Sequence, residues 1–293
     1  MKKKAYRIIL VLTLITCFNF IIFARSAGFV NAVSTRKITW SGYDWTVRTT
    51  NQALQGPGPN LFNDSESNVW LDENNFLHLK ITNDTNNWYC AEIFSDLSFG
   101  YGKYIFKLSP GYTDLDVNVV VGLFTYLDDQ HEIDIEFTRW GDAAAKNSQY
   151  VCQPYYISGN QHRFTTEGSS QNASHAFTWC EDYIKFHSEY GNTFEGTEST
   201  LIEEWFYTGE SIPEPSTERV HLNLWLFQGN VPTNEQECEV IIQEFQFLPS
   251  DCNDEIPNDN IGGFNIIIII IIIITIMFIA IMRIDGGSLQ EKN

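Results

Sequence analysis

The sequence predicts an all-β fold, a β-sandwich or jelly roll, between an N-terminal export segment and a C-terminal membrane-spanning helix. Short runs of apolar and aromatic residues alternate with turns that are rich in glycine, proline and asparagine. Between the two terminal segments, no stripe of apolar residues recurs with the 3.6-residue period of a helix. The chain has 293 residues and is 43% hydrophobic, which is enough for one all-β domain of about 200–250 residues. We therefore expect one globular domain over residues 36–249.

The first 26 residues have the pattern of a signal peptide. Basic side chains at positions 2, 3, 4 and 7 precede an apolar run from Ile8 to Phe23, and a small-x-small exit follows at positions 24–26. Two alternatives stay open. Residues 32–34 offer a second cleavage site, and the long apolar run is also compatible with an uncleaved anchor. Each version exports the residues that follow.

The globular part is predicted to consist of short strands separated by turns. The loop at 55–60 is rich in glycine and proline, and the turn at 72–75 consists of two acidic residues and two asparagines. The predicted strands are Lys37–Arg48, Val69–Leu71, Phe76–Ile81, Trp88–Ser95, Gly102–Leu108, His131–Phe137 and Val240–Leu248.

The strand His131–Phe137 carries the most informative pattern. Successive side chains of a strand point to opposite faces, so Glu132, Asp134 and Glu136 share one face and the apolar residues between them enter the core. A solvated polar face is the ordinary alternative. Three neighbouring carboxylates repel each other, however, and glycoside hydrolysis uses two of them, one as nucleophile and one as the acid that protonates the leaving oxygen. The third acid would help to separate their pKa values.

The charge of the chain restricts its partners. The net charge of −19 argues against binding to nucleic acid, because phosphates require lysine and arginine. An acidic surface is compatible with a neutral polysaccharide, and aromatic side chains, 14% of the residues, can stack on sugar rings.

The acidic strand and several other motifs resemble glycoside hydrolase family 16, the lichenase and laminarinase relatives. The matching segments are Asn60–Asn63, Trp88–Ile93, Tyr101–Tyr104, Glu132–Phe137, Gln149–Tyr156, Phe177–Trp179, Tyr183–Phe186 and Val220–Trp225. This resemblance covers roughly residues 37–249. It implies a concanavalin-like jelly roll and a retaining, endo-acting enzyme that cleaves 1,3- or 1,3-1,4-linked β-glucan.

The resemblance also implies roles for individual residues. Glu132 would be the nucleophile, Glu136 the general acid and base, and Asp134 a hydrogen-bonding partner that tunes Glu132. The residues expected to contact sugar are Asn63, Glu92, Trp140, Gln153, Tyr155, Asn223 and Trp225. Trp140 lies on the carboxylate face only if its strand extends that far. Gln153 and Tyr155 are expected to share one face of the next strand by alternation.

Two departures from the family pattern concern the sugar-contacting residues. Lichenases usually have arginine where this chain has Phe94, and an Asn-Tyr pair near the position of Gln153 and Pro154. The acidic strand itself has no inserted residue, which favours the lichenase-like branch. The resemblance implies no cofactor. A structural calcium ion is common in the family, but no segment identifies its ligands.

The C-terminal part predicts a membrane anchor. Residues 250–263 form a polar linker, residues 264–283 an uncharged apolar span, and residues 284–293 a short tail. About 19 residues at ~1.5 Å each span a ~30 Å hydrocarbon core. Five cysteines follow the signal segment, so at most two disulfides form and one thiol is left. We expect a monomer on the cell surface. A wall-glucan transglycosylase and a lectin-like binding protein on the same fold remain alternatives.

Overall fold

The computed structural model describes residues 35–167, 170–192, 200–249 and 252. Within these residues, the regular structure consists of β-strands and one turn of 3-10 helix at Phe227–Gly229. The strands are, in chain order, β1 Lys37–Trp40, β2 Tyr43–Val47, β3 Leu61–Phe62, β4 Val69–Leu71, β5 Leu77–Asn83, β6 Trp88–Ser95, β7 Gly102–Leu108, β8 Val119–Asp128, β9 His131–Phe137, β10 Ser148–Cys152, β11 Gln161–Phe164, β12 Ala173–Trp179, β13 Ile184–Tyr190, β14 Leu201–Tyr207, β15 Arg219–Leu226 and β16 Cys238–Leu248. The predicted all-β class is confirmed.

The strands form two layers. The front layer has the order β11-β10-β9-β8-β15-β6, and the back layer has the order β5-β16-β7-β12-β13-β14. β2 extends the front layer beside β6, and β4 pairs with β5 in the back layer. The two layers join where the ends of β5 and β6 pair, with Thr82 opposite Tyr89. All these pairs are antiparallel, so each layer can bury one face and leave the other to solvent.

Aromatic side chains pack the two layers together. Tyr150 of β10 stacks on Phe186 of β13 with ring centroids 4.8 Å apart, and its hydroxyl donates to Ser188 Oγ at 2.6 Å. Trp45 of β2 meets Phe245 of β16 edge-on at 5.4 Å. Each such ring removes a large apolar surface from water, and the buried hydroxyl keeps a hydrogen-bond partner. The arrangement is therefore a β-sandwich, consistent with a jelly roll.

Strict alternation on β9 and β15 separates this core from the opposite face. The apolar residues of β9, namely Ile133, Ile135 and Phe137, are buried between the layers. The even-numbered residues of β15, Leu222 among them, are buried in the same core. The polar residues between them lie on the other side of the front layer, as the sequence predicts for β9. This is the face that carries the candidate site.

One predicted strand face is wrong. β10 ends at Cys152, and the chain turns directly afterwards, with Ile157 N donating to Pro154 O at 3.1 Å. Gln153 and Tyr155 therefore do not alternate along a common strand. The predicted strands at Trp88–Ser95 and Gly102–Leu108 are confirmed at the same bounds.

Most residues at the two ends of the chain lie outside the part that the structure describes. The signal segment 1–26, the span 264–283 and the tail 284–293 lie outside the described residues, and the linker 250–263 is described only at Cys252. No helix in the described part is long and apolar enough to cross a membrane. Cys252 forms a disulfide with Cys180 at the end of β12. Among the described cysteines, Cys90, Cys152 and Cys238 are free thiols.

Candidate active site

The front layer carries a cleft of about 720 Å³ on the face opposite the core. The neighbouring strands β6, β15, β8 and β9 supply its floor, and the loop 55–57 adds to its wall. The lining residues are Arg48, Gln55, Gly56, Pro57, Glu92, Phe94, Gly122, Phe124, Tyr126, Asp129, Glu132, Asp134, Glu136, His221, Asn223 and Trp225. A concave site lined by aromatic and carboxylate side chains suits a polar ligand.

The three acids of β9 lie together in this cleft. Glu132, Asp134 and Glu136 stand opposite Tyr126, Phe124 and Gly122 of β8, and this register aims them away from the core. Asp134 is 2% exposed, whereas the two glutamates keep part of their surface open to the cleft. The sequence-predicted clustering of the three carboxylates is thus what the structure shows.

Burial and mutual repulsion change the protonation of these acids. Burial, with a contribution from the charge of Glu136, raises the pKa of Glu132 to about 8, although a hydrogen bond from Asp134 offsets part of the rise. Burial and the charge of Asp134 raise the pKa of Glu136 to about 8. Burial and the charge of Glu132 raise the pKa of Asp134 well above its usual range. The hydrogen bond between the two acids lowers the pKa of Glu132 and raises that of Asp134, so Asp134 is the donor in this pair.

Two glutamines orient the acids from β10 and the turn after it. Gln149 lies opposite Glu136 and donates from Nε2 to Glu136 Oε2 at 2.6 Å. Gln153 donates from Nε2 to Asp134 Oδ2 at 3.0 Å, and its own Oε1 accepts from Tyr155 N at 2.8 Å. Each amide is thereby held with its NH₂ group toward a carboxylate.

An ion pair between the partly exposed Arg48 and the buried Glu92 lies on the β6 side of the cleft. Arg48 Nη1 donates to Glu92 Oε2 at 2.6 Å, and His221 Nδ1 lies 2.9 Å from Glu92 Oε1. Burial alone would raise the pKa of Glu92, but His221 and then Arg48 outweigh burial, and the pKa is lowered. Arg48 also donates to Gly56 O at 2.6 Å, which ties the covering loop to this pair. Both carboxylate oxygens of Glu92 are thus occupied by contacts with Arg48 and His221.

Asn223 is a polar group that has an unmet hydrogen bond in the cleft. Its side chain is buried, and Oδ1 has no hydrogen-bond partner among the described residues. It leans over Gly122, where an added Cβ would lie 2.5 Å from Asn223 Oδ1. Leaving a buried acceptor unpaired costs about 1–3 kcal/mol, so this atom is well suited to accept from a ligand hydroxyl.

The predicted sugar contacts divide into two groups. Glu92, Asn223 and Trp225 line the cleft with the three acids. Gln153 is not among the lining residues, but its side-chain amide donates a hydrogen bond to Asp134. Asn63, Trp140 and Tyr155 are not among the lining residues.

Local structure explains those three positions. Asn63 Oδ1 accepts from Ser65 N at 3.0 Å and so caps its own turn. β9 ends at Phe137, so Trp140 is not on the carboxylate face. It lies in a left-handed turn (φ 53°), its indole N–H donates to Gln149 Oε1 at 3.1 Å, and its ring packs edge-on against Trp225 at 6.0 Å. Tyr155 lies in the turn after β10 with 62% of its surface exposed.

Sequence reasoning missed Gln149, Arg48 and the apolar wall residue Phe124, and it named Phe94 only as a departure from the family pattern. Gln149 could have been found only by assuming the register of the β9–β10 hairpin, which sets it opposite Glu136. Phe94 and Phe124 flank His221 on the neighbouring strands, with ring centroids at 5.4 Å and 5.1 Å. Phe94 therefore places an apolar ring where the lichenase pattern has arginine. Its ring forms a row with those of His221 and Phe124.

A bound metal has no evident place in the described part of the chain. Within residues 35–167, 170–192, 200–249 and 252, no group of three or more His, Cys, Asp or Glu side chains is arranged to hold a metal ion.

Solved structures share this fold. A β-glucanase of Bacillus licheniformis is 20% identical with a TM-score of 0.51, over 74% of this chain and 98% of that one. A β-1,3-1,4-glucanase (lichenase) from a mouse hindgut metagenome is 20% identical with a TM-score of 0.52, over 73% and 99%. An immunostimulatory antigen and pseudo β-1,3-glucanase of Mycobacterium tuberculosis is 19% identical with a TM-score of 0.54, over 70% and 91%.

Sequence comparison alone does not reach these proteins. No family model matches the sequence, and no curated protein matches it significantly. At 15–20% identity the structural likeness shows the fold. The predicted resemblance to the lichenase-like proteins is confirmed at that level.

Proposed function

We propose that this chain is a glycoside hydrolase of family 16 that cleaves 1,3- or 1,3-1,4-linked β-glucan internally and with retention of configuration. The observation that carries the proposal is the row of three acids on the floor of one cleft, in which Glu132 and Asp134 are hydrogen-bonded to each other. This reaction needs at least two carboxyl groups, and they must flank the glycosidic bond that is cleaved. The fold shared with β-glucanases supports the choice of glucan.

In the first step, a Glu132 carboxylate oxygen attacks the anomeric carbon while the bond to the leaving sugar oxygen breaks. Glu136 transfers its proton to that oxygen. The raised pKa of Glu136 supports this role because the group stays protonated near neutral pH. Glu132 must be ionised to attack, and burial opposes this by raising its pKa to about 8. The hydrogen bond from Asp134 lowers that pKa and so favours the ionised form.

In the second step, Glu136, now a carboxylate, takes a proton from water. The resulting hydroxide attacks the anomeric carbon of the glycosyl ester and releases Glu132 as a carboxylate. Two inversions give net retention. The unpartnered Asn223 Oδ1 and the Trp225 ring would position the sugar at the reacting centre.

The test is hydrolysis of laminarin and lichenan by the full-length chain and by Glu132→Gln, with product sizing. The variant is expected to lose turnover while keeping its unfolding midpoint. Glu73→Gln, which alters an exposed carboxylate, serves as the matched control. Wild-type-like turnover by Glu132→Gln would refute the assignment.

A second candidate is glycan binding without turnover. One structural neighbour with the same fold is described as a pseudo β-1,3-glucanase, and this description favours binding without turnover as the second candidate. The two candidates differ in products, because a binding protein retains laminarin intact while the wild-type enzyme shortens it. A transglycosylase uses the same residues, and it would transfer the cleaved chain to an added acceptor oligosaccharide.

The proposed place of action is the cell surface. The signal-like residues 1–26 and the apolar residues 264–283 support it, since together they export the domain and hold it to the membrane. Protease added to intact cells should then remove the domain. Protection until the cells are lysed would contradict this location.

A further inference from the structure

The globular domain contains three copies of the acceptor motif for N-linked glycosylation, Asn-x-Ser/Thr with x other than proline. They begin at Asn63, Asn83 and Asn172. A motif this short also occurs by chance, so its presence alone does not make a site. In a modified copy, the bulky, hydrophilic glycan on the asparagine must project into solvent, and the hydroxyl of the third residue must be open to the transferring enzyme. The structure separates the three copies by this criterion.

The motif at Asn63 is engaged in the fold at both of these positions. Asn63 Oδ1 accepts from Ser65 N at 3.0 Å, and Ser65 Oγ donates to Asn68 Oδ1 at 2.8 Å. Asn68 is buried and donates in turn to Lys80 O of β5 at 3.0 Å. The hydroxyl that the motif needs is therefore committed to the packing of this turn.

The motif at Asn172 is closed by burial. Its third residue, Ser174, lies inside β12 with none of its surface exposed, and its Oγ donates to Gly191 O at 2.8 Å. Asn172 is half-buried, and its Oδ1 accepts from Gln243 Nε2 at 3.1 Å. An enzyme cannot reach the Ser174 hydroxyl without opening the strand.

The motif at Asn83 is open at both positions. Asn83 is the last residue of β5, Thr85 lies in the turn that leads to β6, and both residues are exposed. Neither side chain has a hydrogen-bond partner in the part of the chain that the structure describes. An open groove of about 580 Å³, lined by Asn83, Lys80 and residues 235–239, leaves room beside the amide for a first sugar.

The turn keeps its shape without these two side chains. Asp84 Oδ1 accepts from Asn86 N and from Asn87 N, both at 2.8 Å. Asn83 N donates to Glu237 Oε1 at 2.9 Å, which fixes the base of the turn through its backbone. A sugar on Asn83 Nδ2 therefore breaks none of the hydrogen bonds that hold the turn.

We propose that Asn83 is a site of N-linked glycosylation and that Asn63 and Asn172 stay unmodified. The donor is an oligosaccharide carried on a lipid phosphate. Asn83 Nδ2 forms a bond to the anomeric carbon of the first sugar and loses one proton. The bond from that carbon to the phosphate oxygen breaks, and the lipid phosphate leaves with the bonding electrons. This inference rests on the export of the domain proposed above, because such motifs are modified in exported chains, but not on hydrolysis of glucan.

The experiment uses the full-length chain, purified from the cells that naturally produce it, digested with trypsin and analysed by mass spectrometry. Cleavage after Lys and Arg places the three motifs in separate peptides, residues 49–80, 81–103 and 164–185. Peptide 81–103 is expected to carry a sugar mass on Asn83, and the other two peptides are expected to have their unmodified masses.

Variants of the turn identify the acceptor. The added mass should be lost completely in Asn83→Gln and in Thr85→Ala, because each change destroys the motif. Thr85→Ser keeps a hydroxyl at the third position and should keep the mass. Asn86→Gln, which alters an exposed amide of the same turn outside the motif, is the matched control and should also keep it.

Two further measurements on the same cells separate this inference from the proposed function. An unmodified peptide 81–103, from a domain that added protease removes from intact cells, would overturn the inference and leave the proposed function intact. A sugar on peptide 49–80 or 164–185 in place of 81–103 would overturn it as well. A sugar on Asn83 in a chain that does not hydrolyse laminarin or lichenan would support the inference and refute the proposed hydrolysis. A domain that is protected from protease until lysis would refute the proposed location, and this inference with it.

Discussion

Gln149 lies directly opposite Glu136 in the β9–β10 pair, and its Nε2 donates a 2.6 Å hydrogen bond to Glu136 Oε2. Its Oε1 accepts from Trp140 Nε1 and from Gln161 Nε2, both at 3.1 Å. Reversing the amide would break all three bonds, so the donor faces the carboxylate. The bond favours the ionised form of Glu136 and partly offsets the rise in its pKa that burial causes.

Gln149→Met removes this donor while keeping the side-chain volume. The pKa of Glu136 should then rise further, and the alkaline limb of kcat/KM against pH should move up by about 1 pH unit. The profile is measured on lichenan from pH 5 to 10. Gln161→Leu, which removes only a donor to Gln149, should shift the limb less and in the same direction. A limb that stays in place in Gln149→Met would show that Gln149 does not act on Glu136.

The raised pKa values make stability depend on pH in a defined direction. In the folded chain, Glu132 and Glu136 have pKa values of about 8, above their ordinary values near 4.5, and that of Asp134 is also raised. Between about pH 4.5 and pH 8 the folded state therefore binds more protons than the unfolded state, and the free energy of unfolding falls as pH rises.

Glu136→Gln should relieve part of this loss. The difference in free energy of unfolding between the variant and the wild type should therefore shift in favour of the variant by about 1–3 kcal/mol from pH 5 to pH 8. This figure is reduced because part of the Glu136 surface stays open to the cleft. Urea unfolding at the two pH values measures it. Glu73→Gln, at an exposed carboxylate, should follow the wild type. Parallel losses in Glu136→Gln and wild type would contradict the raised pKa.

Gly122→Ala should displace Asn223. The added Cβ would lie 2.5 Å from Asn223 Oδ1, so the amide must move from its place over the cleft floor. A misplacement of about 1 Å near the chemistry costs on the order of 10²-fold in kcat/KM. The double variant Gly122→Ala/Asn223→Ala should be no worse than Asn223→Ala alone, since both changes remove the same contact. Additive losses would indicate that Gly122 acts through another group.

Glu136→Ala should lose about 10²–10⁴-fold in turnover, because the acid and base are removed together. Sodium azide should restore activity by occupying the vacated space and attacking the glycosyl-enzyme on Glu132. The product is expected to be a β-glycosyl azide, identified by NMR. An α-azide would mean direct attack on the substrate and would contradict the retaining mechanism.

The acidic strand could be predicted from the sequence because its information is local. Alternation with a period of two places Glu132, Asp134 and Glu136 on one face, and burial of Ile133 and Ile135 in the core leaves the acids no other direction. The same reasoning holds for Asn223 and Trp225, which alternate with buried leucines on β15. A strand that buries one face completely also determines what the other face presents.

The residues around the acids were decided by tertiary structure. Gln149 reaches Glu136 across 13 residues of sequence, and Arg48 reaches Glu92 across 44, through strand pairings that have no periodic signal. Tyr155 and Trp140 were expected in the cleft, but β10 ends at Cys152 and β9 at Phe137. The turns that follow leave Tyr155 exposed and place Trp140 against Gln149 and Trp225, outside the cleft lining. Alternation along a strand is a property of the sequence. The register between strands, and the residue at which each strand ends, depend on hydrogen bonds to distant segments.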